Sequence, residues 1–377
     1  MDETPGHSTQ TAAVRPPENQ TAVEASRPAR LASRWRLSGL RLEWPAWALR
    51  MIRPRPPGLA IMFSRDRFIL AEMQPGRGAA GPVLSHLTSH ELPEGSLTPG
   101  LTEPNLAAPV EVASRVGRAL DALPQRSKMT RISVVIPDGC ARVTLLTLRE
   151  IPRSQRQASQ MIRWQIRKRV PFPLDAARLT MQRFPLPDGS ERVMVVLALD
   201  TILAQYEQIM TSLGLQAGLI DLSTFNLANF CLANPAADHA DLKGDLAVLN
   251  VTEEEFSLLV MRDTVPLFYR SRPLLHGKHH APEQTRRELQ RELVTSSTYY
   301  RERLSSGGAG IRKAYLRVAQ GSSFSLNGLA AEIFGVTPTR TNRCDWVALA
   351  PDLPGETPAL LEEAAPAMGI VVGRWIS

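Results

Sequence analysis

Cysteine is scarce in this sequence, and what there is forms no pattern. Cys140, Cys231 and Cys344 lie far apart. No spacing among them forms a zinc site, and an odd number argues against a disulfide framework. That usage fits a reducing cytoplasm. Long apolar runs are also missing. No stretch of roughly 18 apolar residues occurs, so no transmembrane helix is expected. Met1 to Gln20 is polar and lacks the apolar segment of a secretory signal. The expected class is soluble or peripheral. Catalytic signatures are just as sparse: neither a phosphate-binding Gly-x-x-x-x-Gly-Lys-Ser/Thr loop nor a Gly-x-Ser-x-Gly elbow is present. His276-Gly-Lys-His-His280 has a loose metal-like spacing. No cysteine or acid stands beside it and it falls in an expected loop, so no metal site is expected.

What is present suffices for a large core. With 377 residues and 43% hydrophobic content the chain can build two or more domains. The net charge of +7 is unevenly spread, because Arg15 to Arg67 carries many arginines and few acids. Such a bias suits nucleic acid, anionic lipid or simply a solvated tail; no nucleic-acid partner is expected. Residues 1–56 read as a basic N-terminal tail. Its first thirty or so positions have a disordered composition without apolar periodicity. Leu31 to Arg53 then interleaves Trp35, Trp44 and Trp47 with arginines. That pairing suits a peripheral membrane contact, a partner groove or a tail packed on its own domain.

From Gly58 the pattern is α/β. Gly58 to Phe63 and Phe68 to Met73 are short apolar runs around a turn, a hairpin signal. Leu84 to Leu92 reads as a third strand and Val110 to Leu123 as a helix. Strands follow at Arg131 to Pro137 and Ala141 to Leu148, then a helix from Ser154 to Arg169 that Pro171 stops. Leu179 to Pro185 and Arg192 to Leu199 read as strands. Ala204 to Leu213 is a helix, Ala217 to Leu222 a strand and Ser223 to Leu232 a helix. A second unit opens near Leu242 in the same way, with strands at Leu246 to Val251, Glu255 to Arg262 and Pro266 to Arg270. A charged helix at Arg286 to Arg303, a strand at Ala314 to Ala319 and a short helix at Asn327 to Phe334 complete it. Two halves with one opening pattern suggest an ancestral duplication.

Between Arg131 and Asn229 the sequence resembles the PilM family of type IV pilus assembly. The features are Val135-Ile-Pro137, Glu150-Ile-Pro152, Ile162-Arg-Trp-Gln165 and Val170-Pro-Phe-Pro173. Gly214 to Asp221 and Ser223 to Ala228 add to them. The most specific block contains Arg163, Trp164, Pro171, Phe172 and Pro173, which also reads as a plain helix stop. The resemblance implies an actin-like (ribonuclease H-like) two-lobed fold. Residues 57–241 form the first lobe, with a small inserted α+β subdomain near 144–213, and 242–377 form the second. It also implies a partner: a PilN-like bitopic inner-membrane protein, whose N-terminal cytoplasmic tail the chain grips. That would couple the membrane complex to a pilus motor ATPase from a cytoplasmic position, peripheral at the inner membrane. The cytoplasmic part of the type II secretion protein GspL is similar, but GspL carries a transmembrane helix and a periplasmic domain that find no counterpart here.

The family's nucleotide turns are altered. In actin-like ATPases two Asp-x-Gly turns hold Mg-phosphate: the Asp reaches the metal's waters and the Gly lets backbone N–H groups approach phosphate. Here Ala60 stands for the first Asp, Met62 for its Gly, and Ser64 follows. In the second turn Asn250 and Thr252 replace the pair, and Glu253-Glu-Glu255 sits where phosphate would lie, a repulsive arrangement. Of the adenine-side glycines only Gly321 remains. The expectation is a pseudo-ATPase with no required cofactor and at most weak ATP binding. Gln165 and Arg167 replace the family's acidic positions, leaving that helix face basic.

Overall fold

The computed structural model describes residues 57–74, 82–124, 126–233, 244–274, 282–305, 310–319, 326–341, 347–351, 353 and 357–372. The basic tail with Leu31 to Arg53, the His276 to His280 cluster and Gly321 lie outside the described residues.

The elements in chain order are β1 (Leu59–Phe63), β2 (Arg67–Gln74), β3 (Val83–Glu91), α1 (Pro109–Asp121), β4 (Arg131–Ile136), β5 (Arg142–Leu148), α2 (Gln155–Ile166), β6 (Ala177–Pro185), β7 (Glu191–Leu199), α3 (Asp200–Ser212), β8 (Gln216–Leu222) and α4 (Ser223–Leu232). There follow β9 (Asp245–Val251), β10 (Glu255–Arg262), β11 (Val265–Pro273), α5 (Pro282–Arg303), β12 (Ile311–Val318), α6 (Asn327–Phe334), β13 (Thr339–Arg340), β14 (Ala348–Leu349) and α7 (Thr357–Val372).

Two sheets share one topology. The first runs β14-β3-β2-β1-β4-β8 and the second β11-β10-β9-β12-β13. In each, three antiparallel strands are followed by two parallel ones: β1 pairs with β4 and β4 with β8, just as β9 pairs with β12 and β12 with β13. This repeated order is the actin-like, two-lobed arrangement. The central strands β1, β9 and β10 are buried almost throughout. That explains their continuous apolar runs, because a strand covered on both faces has no need to alternate. A third sheet, β5-β7-β6, carries α2 and shares a continuous core with the first through Leu146, Ile162, Val193 and Val195.

Two expected boundaries move. The small sheet starts at Arg142 and ends at Leu199, and α3 packs against β8 and α1 of the first lobe. The C-terminal stretch does not stay with the second lobe. β14 pairs with β3, Ala348 opposite Val83, and α7 packs on α4 and on β1 to β4. The reason is burial: α7 is buried without a break from Leu361 to Val372, Glu362 and Glu363 included, and its apolar residues Leu361, Ala364, Met368 and Ile370 join a core that also takes Leu246, Val248 and Leu259 from the second sheet. Within α2 the helix ends at Ile166, and Arg167 to Arg169 tighten into a 3-10 turn.

Candidate functional site

The two altered turns meet where the lobes join. Ala60 and Met62 are buried in the first sheet. Ser64 N–H donates to Arg67 O at 2.8 Å, closing the β1–β2 turn on itself. In the second turn Thr252 N–H donates to Glu255 O at 2.9 Å. The Thr252 hydroxyl accepts from the N–H groups of Glu254 (3.3 Å) and Glu255 (3.1 Å). The backbone donors that a glycine turn would offer to phosphate are therefore occupied by the turn's own side chain.

Behind the turns lies a buried polar knot. Asn250 donates to Ser223 Oγ and Thr224 Oγ1, both at 3.1 Å. Asp138, just beyond β4, accepts from Thr224 Oγ1 (2.7 Å), Thr224 N–H (3.2 Å) and Tyr269 Oη (3.1 Å). Arg317 from β12 donates through Nη1 to Asn250 Oδ1 at 2.7 Å. Its Nε reaches Glu362 O at 3.2 Å and its Nη2 reaches Glu363 O at 2.9 Å. Pro366 sits inside α7 and has no N–H to offer Glu362 O, four residues back. Arg317 supplies the missing donor. Among the three consecutive acids, Glu255 is not a free repulsive charge: its Oε1 accepts from Asp138 N–H at 2.9 Å.

Sequence reasoning named Asn250 and Thr252 and read Glu255 as a repulsive charge, but missed Asp138 and Arg317. The one available signal was a lone arginine inside the apolar run Ala314 to Val318.

Burial shapes the acids. The Glu255 carboxyl is pushed up to about 8, first by burial and then by the Asp138 carboxyl beside it. Asp138 is also raised, burial leading. An acid whose pKa is higher folded than unfolded stabilises the fold fully below its unfolded value, about 4.3 for Glu. That contribution fades as pH rises towards the folded value, so stability falls across this window. Glu255→Gln keeps the hydrogen-bond acceptor and cannot ionise. It is expected to flatten the fall in melting temperature between about pH 5 and 8, leaving the variant more stable than the parent at the alkaline end. Melts across that range check this, and parallel curves for the two proteins would contradict it.

The motif block serves local structure with one exception. Arg163 donates to Ala177 O at 3.0 Å and to Leu174 O, pinning the loop after α2. Phe172 is buried, while Pro171 and Pro173 are exposed. Trp164 differs, being 74% exposed on α2.

Two cavities flank the small sheet. Among the described residues strand β8 is the outer strand on its side of the first sheet and pairs only with β4. Beside it runs a cavity of about 740 Å³ lined by Leu219, Phe225, Met194, Val196, Leu259 and Met261. Leu219 is 39% exposed although apolar. The second cavity, about 760 Å³, opens between β5 and β11 and reaches both altered turns at Ser64 and Thr252.

No protein-family model matches the chain, and no curated protein matches it. Solved structures do. A PilM–PilN type IV pilus biogenesis complex aligns with a TM-score of 0.68 at 20% identity, covering 85% of this chain and 99% of that one. At that identity the likeness speaks for the fold. A Bacteroides thetaiotaomicron protein with an actin-like ATPase fold aligns at TM-score 0.39 and 10% identity, covering 80% of this chain and 94% of that one. The cytoplasmic domain of EpsL, an inner-membrane component of the Vibrio cholerae type II secretion system, aligns at TM-score 0.39 and 12% identity, covering 73% and 93%.

Proposed function

We propose that this chain is a scaffold of type IV pilus assembly. In this reading it holds the N-terminal cytoplasmic tail of a PilN-like bitopic inner-membrane protein in the groove along β8. The observation that carries the reading is that groove. It joins a free strand edge to an apolar wall, the combination that takes an extended peptide by strand addition with side chains in pockets. The small β5-β7-β6 sheet acts as an inserted subdomain forming the groove's far wall. The PilM–PilN complex of similar fold suggests the kind of partner. The chain would then work in the cytoplasm, held at the inner membrane by its partner, and pass contact on to a pilus motor ATPase. No described helix is long and apolar enough to cross a membrane, so attachment through a partner meets the need.

In the same reading the chain does not turn over ATP. The turn donors are closed on themselves, and Arg317 ties Asn250 to α7. Millimolar Mg-ATP should leave the melting temperature unchanged, whereas a ligand at 100 times its dissociation constant would add about 2.7 kcal/mol.

The test is fluorescence anisotropy with the labelled N-terminal tail peptide of the bitopic protein encoded beside this chain. Wild type should bind, and Leu219→Asp should weaken binding at least about tenfold with an unchanged melt, since Leu219 is already partly exposed. Failure of the folded wild type to bind would overturn the proposal.

A further inference from the structure

We propose that the cleft between β5 and β11 is a binding site for a carboxylate-rich, extended peptide segment, separate from the apolar groove along β8. The cleft holds about 760 Å³, within the range of built ligand sites. Besides Arg317, five arginines line its walls: Arg65 from the β1–β2 turn, Arg142 and Arg192 from the small sheet, and Arg270 and Arg272 from β11. Arg270 is paired with Glu292. Among the described residues Arg65, Arg142, Arg192 and Arg272 have no carboxylate partner. The Nε atoms of Arg192 and Arg270 are buried without a hydrogen-bond partner. Burial lowers the Arg192 pKa and no nearby acid offsets it. A desolvated, unpaired guanidinium is costly, and an arriving anion relieves that cost.

The acids in the same wall do not neutralise these arginines. Asp138 and Glu255 are spent on hydrogen bonds across the lobe junction. Glu254 is raised by burial at the β9–β10 turn. Arg317 also reaches the cleft, but its donors are committed to Asn250 and to the α7 carbonyls.

Two features favour a peptide over a compact anion. First, among the described residues β5 and β11 are both outermost strands: β5 pairs only with β7, and β11 only with β10. Each borders the cleft, so an extended chain laid along either one meets backbone groups free of ladder partners. Second, arginine-rich walls alternate with apolar ones, Leu145 and Phe268 among them. A segment alternating acidic and apolar side chains presents one kind to each, and guanidinium forks grip carboxylates in paired hydrogen bonds.

The experiment uses the full chain and a fluorescein-labelled peptide of alternating Glu and Leu, with a Lys and Leu peptide as its opposite. Wild type should bind the acidic peptide and not the basic one, and binding should weaken steeply with salt. Arg192→Gln combined with Arg272→Gln should lower affinity roughly tenfold or more. Its melting temperature should equal or exceed the parent's, because an unpaired, half-buried charge at Arg192 has been removed and Arg272 is exposed. Arg156→Gln with Arg167→Gln, two exposed positions on and just after α2, is the control and should bind as wild type. Leu219→Asp should also bind as wild type, so failure here and failure of the tail-binding reading are told apart. No binding, an equal loss in the α2 control, or binding of sodium triphosphate in place of the peptide would each overturn the proposal.

Discussion

Gly369→Ala is expected to destabilise the protein by about 3 kcal/mol or more, a large change for one methyl group. Propensity alone predicts the reverse, since alanine is favoured over glycine inside a helix by about 1 kcal/mol. Packing decides. A Cβ at Gly369 would stand 1.8 Å from Asn226 O and 2.6 Å from its carbonyl carbon. Both are backbone atoms of α4, so no side chain can turn aside. Helix α7 must move off α4, and the core it shares with both sheets opens. Urea unfolding measures the effect. A loss under about 1 kcal/mol would mean that α7 does not pack on α4 at this distance.

Arg317→Met is the second large effect. The guanidinium is 1% exposed and bonds Asn250 Oδ1 and the carbonyls of Glu362 and Glu363. Removing it leaves Asn250 Oδ1 and Glu362 O buried and unpaired beside the Asp138 and Glu363 carboxylates, for a cost of about 3–5 kcal/mol. Arg317→Lys keeps the charge but cannot span three acceptors, and should fall between. Pro366→Ala gives α7 the N–H that Glu362 O lacks. Adding it to Arg317→Met should recover part of the loss, while the same change in the parent does little for that carbonyl. A double-mutant cycle reads this coupling directly. Strict additivity would show that Arg317 and Pro366 are not linked through Glu362.

These two residues also mark where sequence reading stops. The hairpin β1–β2, the run β9–β10 and the helix stop at Pro171 were legible because each depends on neighbours a few positions away. The turns after β1 and β9 were legible as turns for the same reason. Helix α7 was not. Its burial on every side removes the periodicity that reveals an amphipathic helix, and Pro366 argues locally against a helix at all. Its return to the first lobe is fixed by Gly369 against Asn226, and Arg317 ties it to the second sheet through two carbonyls. Neither contact has a sequence period. Glu255 is a similar case. In a run of three acids it reads as a repulsive charge facing phosphate, yet the fold turns it inward onto the Asp138 N–H. The peptide-sized cavities were beyond reach, since each is bounded by strands far apart in the chain.

The central claim is that an extended tail adds to the open edge of β8. Hydrogen exchange of the full chain, with and without the partner's N-terminal tail peptide, tests it most directly. The account predicts slowed exchange at backbone amides of Ala217 to Leu222 when the peptide is bound, with β11 unchanged. Peptide binding that leaves β8 exchange unaltered, or that protects only the β9–β10 turn, would contradict it.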